Sequence, residues 1–474
     1  MQQSLDDDLV DRTSSEDTCI PSRHDCIHHH QSEQDEKTTR IASKFINNAS
    51  FPNQVLQISV EHTSNIEQTY KNNQEANEFK IKLEQVRNEI NEILKPISVS
   101  SLRDFKSTTT ALTHKIYLKP NAIPVKQKER RIPNAFQKEL DDMINDMIAS
   151  NKIQETHTSP WASPLRLVRK KDKTMRITVD YQYLNSCTER VAYPFPFADD
   201  IFSKLSKARI FTVIDLTSGY FQVLLDTNSR KYTAFMTSKG TFEFLVMPMG
   251  VTNATETFQR MMHIVLKDLI DQICQVYLDD IIVYSENIDQ HFHHVKQVVN
   301  RLTQYCLKIK LSKCKVAQTK VEYLSHIISY GTIQPSPEKV KDLFKYKSPL
   351  NIKQIHSFVG LASYYRRFIS PYLRATTDRS FKWDDQCQTS FDLIRKLLIT
   401  NPILQFPRFD QPFIIESDAS NFGVGGVLSQ EFNNQMQPIA YFSKHLTATE
   451  RNYSTTEREL YAIVLLIEHF RQFI

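Results

Sequence analysis

Paired cysteines, a secretory leader, a membrane-length apolar run and a strong charge of either sign are all missing from this sequence. Its seven cysteines stand singly, at Cys19, Cys26, Cys187, Cys274, Cys306, Cys314 and Cys387. With no CxxC pair, neither a zinc module nor a disulfide framework is indicated, and a reduced, intracellular protein is expected. The first residues are polar and acidic (Asp6-Asp7-Asp8), unlike a secretory signal. No apolar run is long enough to span a bilayer, so no membrane partner is expected. A net charge of +5 permits nucleic-acid binding through local patches without arguing for it. Internal repeats are absent too.

What is present is a chain of 474 residues, 24% of them charged, long enough for two or more domains with ample cores. Residues 1–73 are rich in Ser, Asn, Gln, His, Asp and Thr and read as a disordered polar tail. His24, Cys26, His28, His29 and His30 have no recognisable zinc spacing and fit that solvated tail. Phe79, Leu83, Val86, Ile90 and Leu94 then recur every three or four positions, which predicts an amphipathic helix over about 75–95, stopped by Pro96 and packed on the body. A second helix is expected around Phe136, Leu140, Met143, Ile144 and Met147. Two strands, Leu165 to Val168 and Met175 to Tyr181, flank the basic run Arg169-Lys170-Lys171-Asp172-Lys173. Such a hairpin tip suits either phosphate contact or a solvated loop. Further strands are expected near 223–225, 242–247, 309–311 and 323–328, with helices over 254–269 and 291–307. Residues 337–372 read as helical and basic. From Pro412 the pattern is strand, Gly-rich strand, strand, helix. Strands interleaved with helices predict α+β or α/β layers.

Two stretches carry acids in a telling context. Ile210-Phe211-Thr212-Val213-Ile214-Asp215 is a buried-type strand ending in a carboxylate. Tyr277-Leu278-Asp279-Asp280 places two carboxylates between apolar runs, as two short strands joined by a tight turn. Adjacent negative charges repel, and an oxygen-ligated divalent cation would offset them. Taken alone, the second stretch reads as a polar surface turn, because Asp is common in turns.

Together, Val213-Ile214-Asp215-Leu216-Thr217-Ser218-Gly219-Tyr220 and Tyr277-Leu278-Asp279-Asp280 closely resemble the palm signature of reverse transcriptases, in particular those of gypsy-type LTR retrotransposons. The resemblance extends through Ser159-Pro160-Trp161-Ala162-Ser163-Pro164, Val179-Asp180-Tyr181 with Leu184-Asn185, and Tyr193-Pro194. It continues in Thr233-Ala234-Phe235, Val246-Met247-Pro248-Met249-Gly250, Asn253-Ala254 and Thr257-Phe258-Gln259-Arg260. Downstream it includes Glu322-Tyr323-Leu324-Ser325-His326, Phe358-Val359-Gly360-Leu361 and Tyr364-Tyr365-Arg366-Arg367-Phe368. It is near-continuous from about His114 to the C-terminus.

The resemblance implies an α+β right-hand polymerase of fingers, palm and thumb, followed by an incomplete RNase H-like α/β domain. The implied division is a tail over 1–110, fingers and palm over 111–334, thumb and linker over 335–400, and the RNase H start over 401–474. The implied activity is RNA-directed DNA polymerisation with dNTPs on a primed RNA or DNA template. Asp215 and Asp279 would bridge two Mg²⁺ ions (Mn²⁺ as substitute), with Asp280 as supporting carboxylate and the Leu216 carbonyl as a further ligand. Tyr220 would exclude a ribose 2′-hydroxyl, and Met249 would pack near the nucleotide. Lys170 and Arg176 would hold the triphosphate. Phe258 and Gln259 would brace the template side, and Leu324, Ser325 and His326 the primer end. Asp418 and Glu459 would be RNase H metal ligands. The family's third acid lies in a downstream Thr-Asp-His motif that the sequence does not reach before Ile474, so no RNase H activity is expected of the chain as it stands. The implied setting is cytoplasmic, including virus-like particles, or nuclear, with other polyprotein products as partners.

Four positions depart from the family pattern: Gln182 in place of a basic residue, Thr255 in place of Pro, Ser325 in place of Gly, and a short segment between Tyr372 and Trp383. With no Asp-Ser-Gly or Asp-Thr-Gly protease motif and no integrase region, the sequence fits one piece of a polyprotein or a decaying copy of one. The alternative to an active polymerase is therefore a catalytically inactive remnant that only binds nucleic acid. A weaker option is a protein partner for the N-terminal helix.

Overall fold

The structure, a computed structural model, describes residues 74–169, 175–344, 346–368, 383–399 and 403–474. The polar stretch 1–73, the basic turn 170–174 with Lys170, and residues 373–382 lie outside the described residues.

Helix α1 (Gln74–Leu94) forms where the helical spacing predicts it, and Pro96 sits in the short 3-10 turn that follows. Its Val86, Ile90 and Leu94 are buried in one apolar cluster with residues such as Ile214, Ile281 and Val298. Ile97 and Ile116 join the same cluster, so packing is continuous across the boundary expected at residue 110. Helix α2 (Gln137–Ala149) buries Leu140, Ile144 and Met147. Strands β1 (Ile153–Glu155), β2 (Ser163–Arg169) and β3 (Met175–Val179) follow, then helix α3 (Ala198–Lys204) and strand β4 (Ile210–Asp215). Strands β5 (Phe235–Thr237) and β6 (Gly240–Phe244) complete a five-stranded sheet in the order β1-β6-β5-β2-β3. The expected β2–β3 hairpin pairs Leu165 with Val179 and Val168 with Arg176.

A four-stranded sheet is built next. Helix α4 (Ala254–Leu266) leads to strands β7 (Cys274–Tyr277) and β8 (Asp280–Ser285), then helix α5 (Ile288–Gln304) and strand β9 (Lys315–Gln318). The order is β9-β4-β8-β7, antiparallel throughout. The central strand β4 is buried over its first five residues and emerges only at Asp215. At the sheet edge, the Arg87 guanidinium of α1 donates to the carbonyls of Val316 (3.2 Å) and Ala317 (3.1 Å). A covered edge does not invite pairing with another chain.

A smaller sheet runs β10 (Lys320–Tyr323), β11 (His326–Ser329), β12 (Thr332–Pro335) and β13 (Leu404–Gln405). Helices α6 (Pro337–Phe344), α7 (Ile352–Tyr364) and α8 (Asp385–Ile399) accompany it. Phe358, Ala362, Tyr365, Phe368, Phe391 and Leu398 form a second core here. The last unit is a meander of β14 (Ile414–Ala419), β15 (Gly423–Phe432) and β16 (Gln435–His445), with helix α9 (Thr455–Phe470) against it. Ser454 and Glu457 form a capping box at the start of α9. Gly426 lets the helix approach, since a Cβ there would fall 2.0 Å from Leu466 Cδ2. No helix of the described residues is long and apolar enough to cross a membrane.

Three expected strands differ. Residues 309–311 form no strand: Ile309 makes single bridges to Ser98 and Leu216, and the chain then turns as a 3-10 helix over Leu311–Lys313. The run 323–328 is split into β10 and β11 by a two-residue turn, because Leu324 and Ser325 both adopt positive φ (44° and 58°). The expected strand at 223–225 is reduced to Leu224–Leu225, paired with Thr113–His114.

Candidate active site

Strand register places the acids. Asp280 is the direct partner of Asp215 across the β4–β8 ladder, and it also pairs with Tyr277 across the β7–β8 hairpin. Leu278 and Asp279 form the two-residue tip, with Leu278 at φ 56°. A left-handed non-glycine residue costs energy and persists only where its surroundings hold it. The holder here is Gln259 of α4, which is fully buried. Its Oε1 accepts the Leu278 backbone N–H (2.7 Å), and its Nε2 donates to the Val276 carbonyl (3.3 Å) and lies 3.0 Å from His263 Nε2.

The charges at the tip interact. Burial, then the neighbouring charges of Asp279 and Asp215, push the Asp280 carboxyl up to about 6, and the Lys313 ammonium partly relieves this. Lys313 Nζ lies 3.0 Å from Asp215 Oδ2 and 3.3 Å from Oδ1. The turn that carries it is anchored to the same residue, since the Lys310 N–H donates to the Asp215 carbonyl (2.9 Å). Among the described residues no three His, Cys, Asp or Glu side chains are grouped tightly enough to hold an ion unaided. The donor set itself suits a divalent cation: the charges of Asp279 and Asp215 both act on Asp280, and a lysine already serves as countercharge to Asp215.

Beside the acids, Gly219 admits the Phe258 ring. A Cβ at Gly219 would fall 2.8 Å from Phe258 Cζ and 3.7 Å from Asp279 Cβ. Tyr220 stacks on Phe258 with ring centroids 5.2 Å apart. Burial raises the Tyr220 hydroxyl above its ordinary value, and the Asp279 and Glu256 charges add to this against the Thr255 side chain. Met249 is half-buried in the turn before Gly250 (φ 91°). Asn185 braces that turn, donating to the Gly250 carbonyl and accepting from the Thr252 N–H, both at 2.8 Å. Arg176 is exposed on β3.

At the β10–β11 turn the Tyr323 hydroxyl donates to the Asp280 carbonyl (3.1 Å), tying this turn to the acid hairpin. His326 is buried among Phe202, Tyr364, Tyr365 and Phe368. Its burial lowers the imidazole to about 4.

Residues 168–328 match the family described as reverse transcriptase (RNA-dependent DNA polymerase). Residues 383–474 match the RNase H-like domain found in reverse transcriptase. The retrovirus-related Pol polyprotein from transposon 297 of Drosophila melanogaster is 36% identical over 380 residues, covering 77% of this chain and 35% of that protein. The corresponding polyprotein from transposon gypsy of the same fly is 34% identical over 364 residues, covering 71% and 35%. The chain belongs to the gypsy-type retrotransposon reverse transcriptases. It spans about a third of the length of the curated relatives it matches. A Tf2-3 transposon polyprotein of Schizosaccharomyces pombe is 28% identical over 426 residues, covering 85% of this chain and 32% of that protein. Among solved structures, a foamy viral protease-reverse transcriptase in complex with double-stranded DNA superposes with a TM-score of 0.72 at 18% identity, covering 83% of this chain and 72% of that one. A complex of the foamy viral enzyme with an RNA/DNA hybrid gives 0.66 at 18% identity, covering 91% and 55%. At that identity the likeness establishes the fold.

Within this reverse transcriptase the structure brings Asp215, Asp279, Asp280, Tyr220 and Phe258 together. The Leu216 carbonyl lies between backbone bonds made by its neighbours and accepts no hydrogen bond among the described residues. Three expectations need correction. Phe258 and Gln259 are fully buried, so neither side chain can touch a template directly; they support Tyr220 and the Leu278 turn instead. His326 is only 3% exposed, so its side chain cannot touch a primer, whereas Leu324 and Ser325 remain partly exposed. Lys313 was not anticipated. Its sole sequence signal is a run of lysines at 308, 310, 313 and 315, which does not say which one meets an acid. In the RNase H-like unit, Asp418 on β14 is exposed and Glu459 on α9 is half-buried, on elements that pack together.

Proposed function

We propose that this chain acts as an RNA-directed DNA polymerase of a retrotransposon, extending a primer with dNTPs on an RNA or DNA template. The reading rests chiefly on Asp215 and Asp280 facing each other across adjacent strands with Asp279 on the tip beside them. In-line attack of a primer 3′-hydroxyl on a dNTP α-phosphate calls for carboxylates converging from separate strands. Reverse transcriptases generally use divalent metal ions, and Mg²⁺ is the ion proposed here, with Mn²⁺ as substitute. Asp215 and Asp279 would hold two such ions, with Asp280 and the Leu216 carbonyl in support. When bound, the ions would neutralise charge on the entering and leaving oxygens.

The chain's own residues orient the substrates. Tyr220, stiffened by its stack on Phe258, would exclude a ribose 2′-hydroxyl. Met249 would pack near the nucleotide, and Lys170 and Arg176 would hold its triphosphate, where a guanidinium suits bidentate phosphate contact. Leu324 and Ser325 would hold the primer end. The foamy viral neighbours bind double-stranded DNA and an RNA/DNA hybrid. A primer–template duplex gripped mainly through phosphate and sugar is proposed here, with salt-sensitive affinity. Fingers and palm are assigned to 111–334 together with α1, thumb and linker to 335–400, and an RNase H-like unit from 401, with Asp418 and Glu459 as its metal ligands. The site of action is intracellular.

Primer extension on poly(rA)–oligo(dT) with Mg²⁺ tests this, comparing the chain with Asp279→Asn. Extension by the unmutated chain alone is expected. Equal incorporation by both would overturn the assignment of the site. Duplex binding without extension by the unmutated chain would favour a non-catalytic remnant.

A further inference from the structure

The β10–β11 turn is held from outside its own sheet. Its consecutive carbonyls point at two tyrosines at the end of α7. The Tyr364 hydroxyl donates to the Leu324 carbonyl (2.8 Å), and the Tyr365 hydroxyl donates to the Ser325 carbonyl (3.1 Å). The His326 Nδ1 also reaches the Leu324 carbonyl (2.7 Å), and the Ser336 N–H reaches that of Ser325 (3.0 Å). On the other side of the turn, Tyr323 connects to the Asp280 carbonyl (3.1 Å). A line of hydroxyl-to-carbonyl bonds therefore runs from a thumb helix, through a turn of two left-handed residues, to the strand that carries an active-site acid.

We infer that Tyr364 and Tyr365 are positioning residues that, through the Leu324-Ser325 turn and Tyr323, set the distance between the primer end and the acid hairpin. The inference rests on the polymerase reading above. The physical case is specific to these hydroxyls. Leu324 and Ser325 sit at φ 44° and 58° in a turn with no glycine, so the backbone alone does not favour the geometry. The carbonyls of a tight turn cannot all be met within it, and each partner that α7 supplies biases the turn toward one arrangement. The tyrosine rings serve a separate purpose by enclosing His326, with centroids at 5.5 and 5.4 Å. Tyr→Phe substitution thus removes the hydrogen bonds and keeps the packing.

The test uses the full chain with Tyr364→Phe/Tyr365→Phe combined, each single variant, and Tyr323→Phe. For the double variant, single-turnover extension should slow by about tenfold, while the KM for dNTP and the affinity for primer–template stay within about twofold. Tyr323→Phe should shift rate and not KM in the same way. Loss of packing alone would lower the melting temperature without this split. A second readout needs no catalysis: 2-aminopurine placed at the primer 3′ terminus should brighten in the bound double variant as the terminus loses its fixed stacking. Unchanged rate and unchanged fluorescence in the double variant would overturn the inference. So would a slower rate accompanied by an equal rise in KM for dNTP. If the unmutated chain binds duplex without extending it, the polymerase reading fails, and the fluorescence comparison still decides whether the tyrosines fix the terminus.

Discussion

Two hairpin tips of this reverse transcriptase solve the same problem by different means. The Leu278-Asp279 tip places one non-glycine residue at positive φ, and the Leu324-Ser325 turn places two. The first is braced from inside the palm, by a fully buried Gln259 that belongs to the same core as the strands it holds. The second is braced by tyrosine hydroxyls at the end of α7, within the core that Tyr323 and Ile328 of the turn's own strands share. One brace comes from the helix that leads into its hairpin, the other from a helix about forty residues downstream. The acid tip is held by a single side chain, whereas the turn beside it is held by two.

The largest expected effect that separates the two tips is loss of extension. Asp279→Asn should reduce single-turnover incorporation by about a thousandfold or more with duplex binding retained, measured by filter binding and primer extension. A residual rate near that of the unmutated chain would remove the acid tip from the chemistry.

Next comes acid. The two hairpins should respond to pH with opposite sign. Burial holds His326 at about 4, so above its unfolded value near 6.5 it costs nothing. Below 6.5 the unfolded chain takes up a proton that the folded chain refuses, and stability falls until about pH 4. His114 (about 4) and His291 (about 3), the latter bonded to Thr212 and Ser285, act the same way. Each would lower the folding equilibrium by roughly tenfold per pH unit in that window. Asp280 works against them: its value is raised from 3.8 to about 6, so it gains stability as pH falls through that interval. Three histidines outweigh one aspartate, and urea midpoints should decline between pH 6.5 and 4. His326→Phe, which fits an aromatic box, should flatten the decline, and an unchanged slope would contradict the burial argument.

Gln259→Leu should follow in size. It leaves the Leu278 N–H and the Val276 carbonyl without their side-chain partners, at about 1–3 kcal/mol of stability. Extension should fall by more than the melting temperature alone would explain, since the tip loses its brace. The smallest effect is expected at Ser325→Gly. Relief of the left-handed penalty should raise stability by up to about 1 kcal/mol, and a destabilised variant would mean the turn is not strained.

Much of this was legible beforehand because it depends on local pattern. The apolar runs around Tyr277-Leu278-Asp279-Asp280 predict a hairpin, and β7 and β8 form it. The strand ending in Asp215 is β4, and the helical spacing from Phe79 to Leu94 is α1. The roles of Phe258, Gln259 and His326 were misjudged for one reason. A polar or aromatic residue next to a functional motif reads as exposed machinery, yet all three are buried and act on backbone or on another ring.

The sequence by itself determined the family, the identity of the acids and the strands and turns that carry them, because short apolar runs and turn chemistry act over a few residues. Only the tertiary structure decided that Asp280 faces Asp215, that Lys313 lies against Asp215, and that two tyrosines about forty residues downstream hold the Leu324-Ser325 turn. Those relations join segments far apart in the chain, and they exist only once register and packing have brought the segments side by side. The carboxylate hairpin is a local object, whereas its charge balance and its link to the thumb are properties of the folded whole.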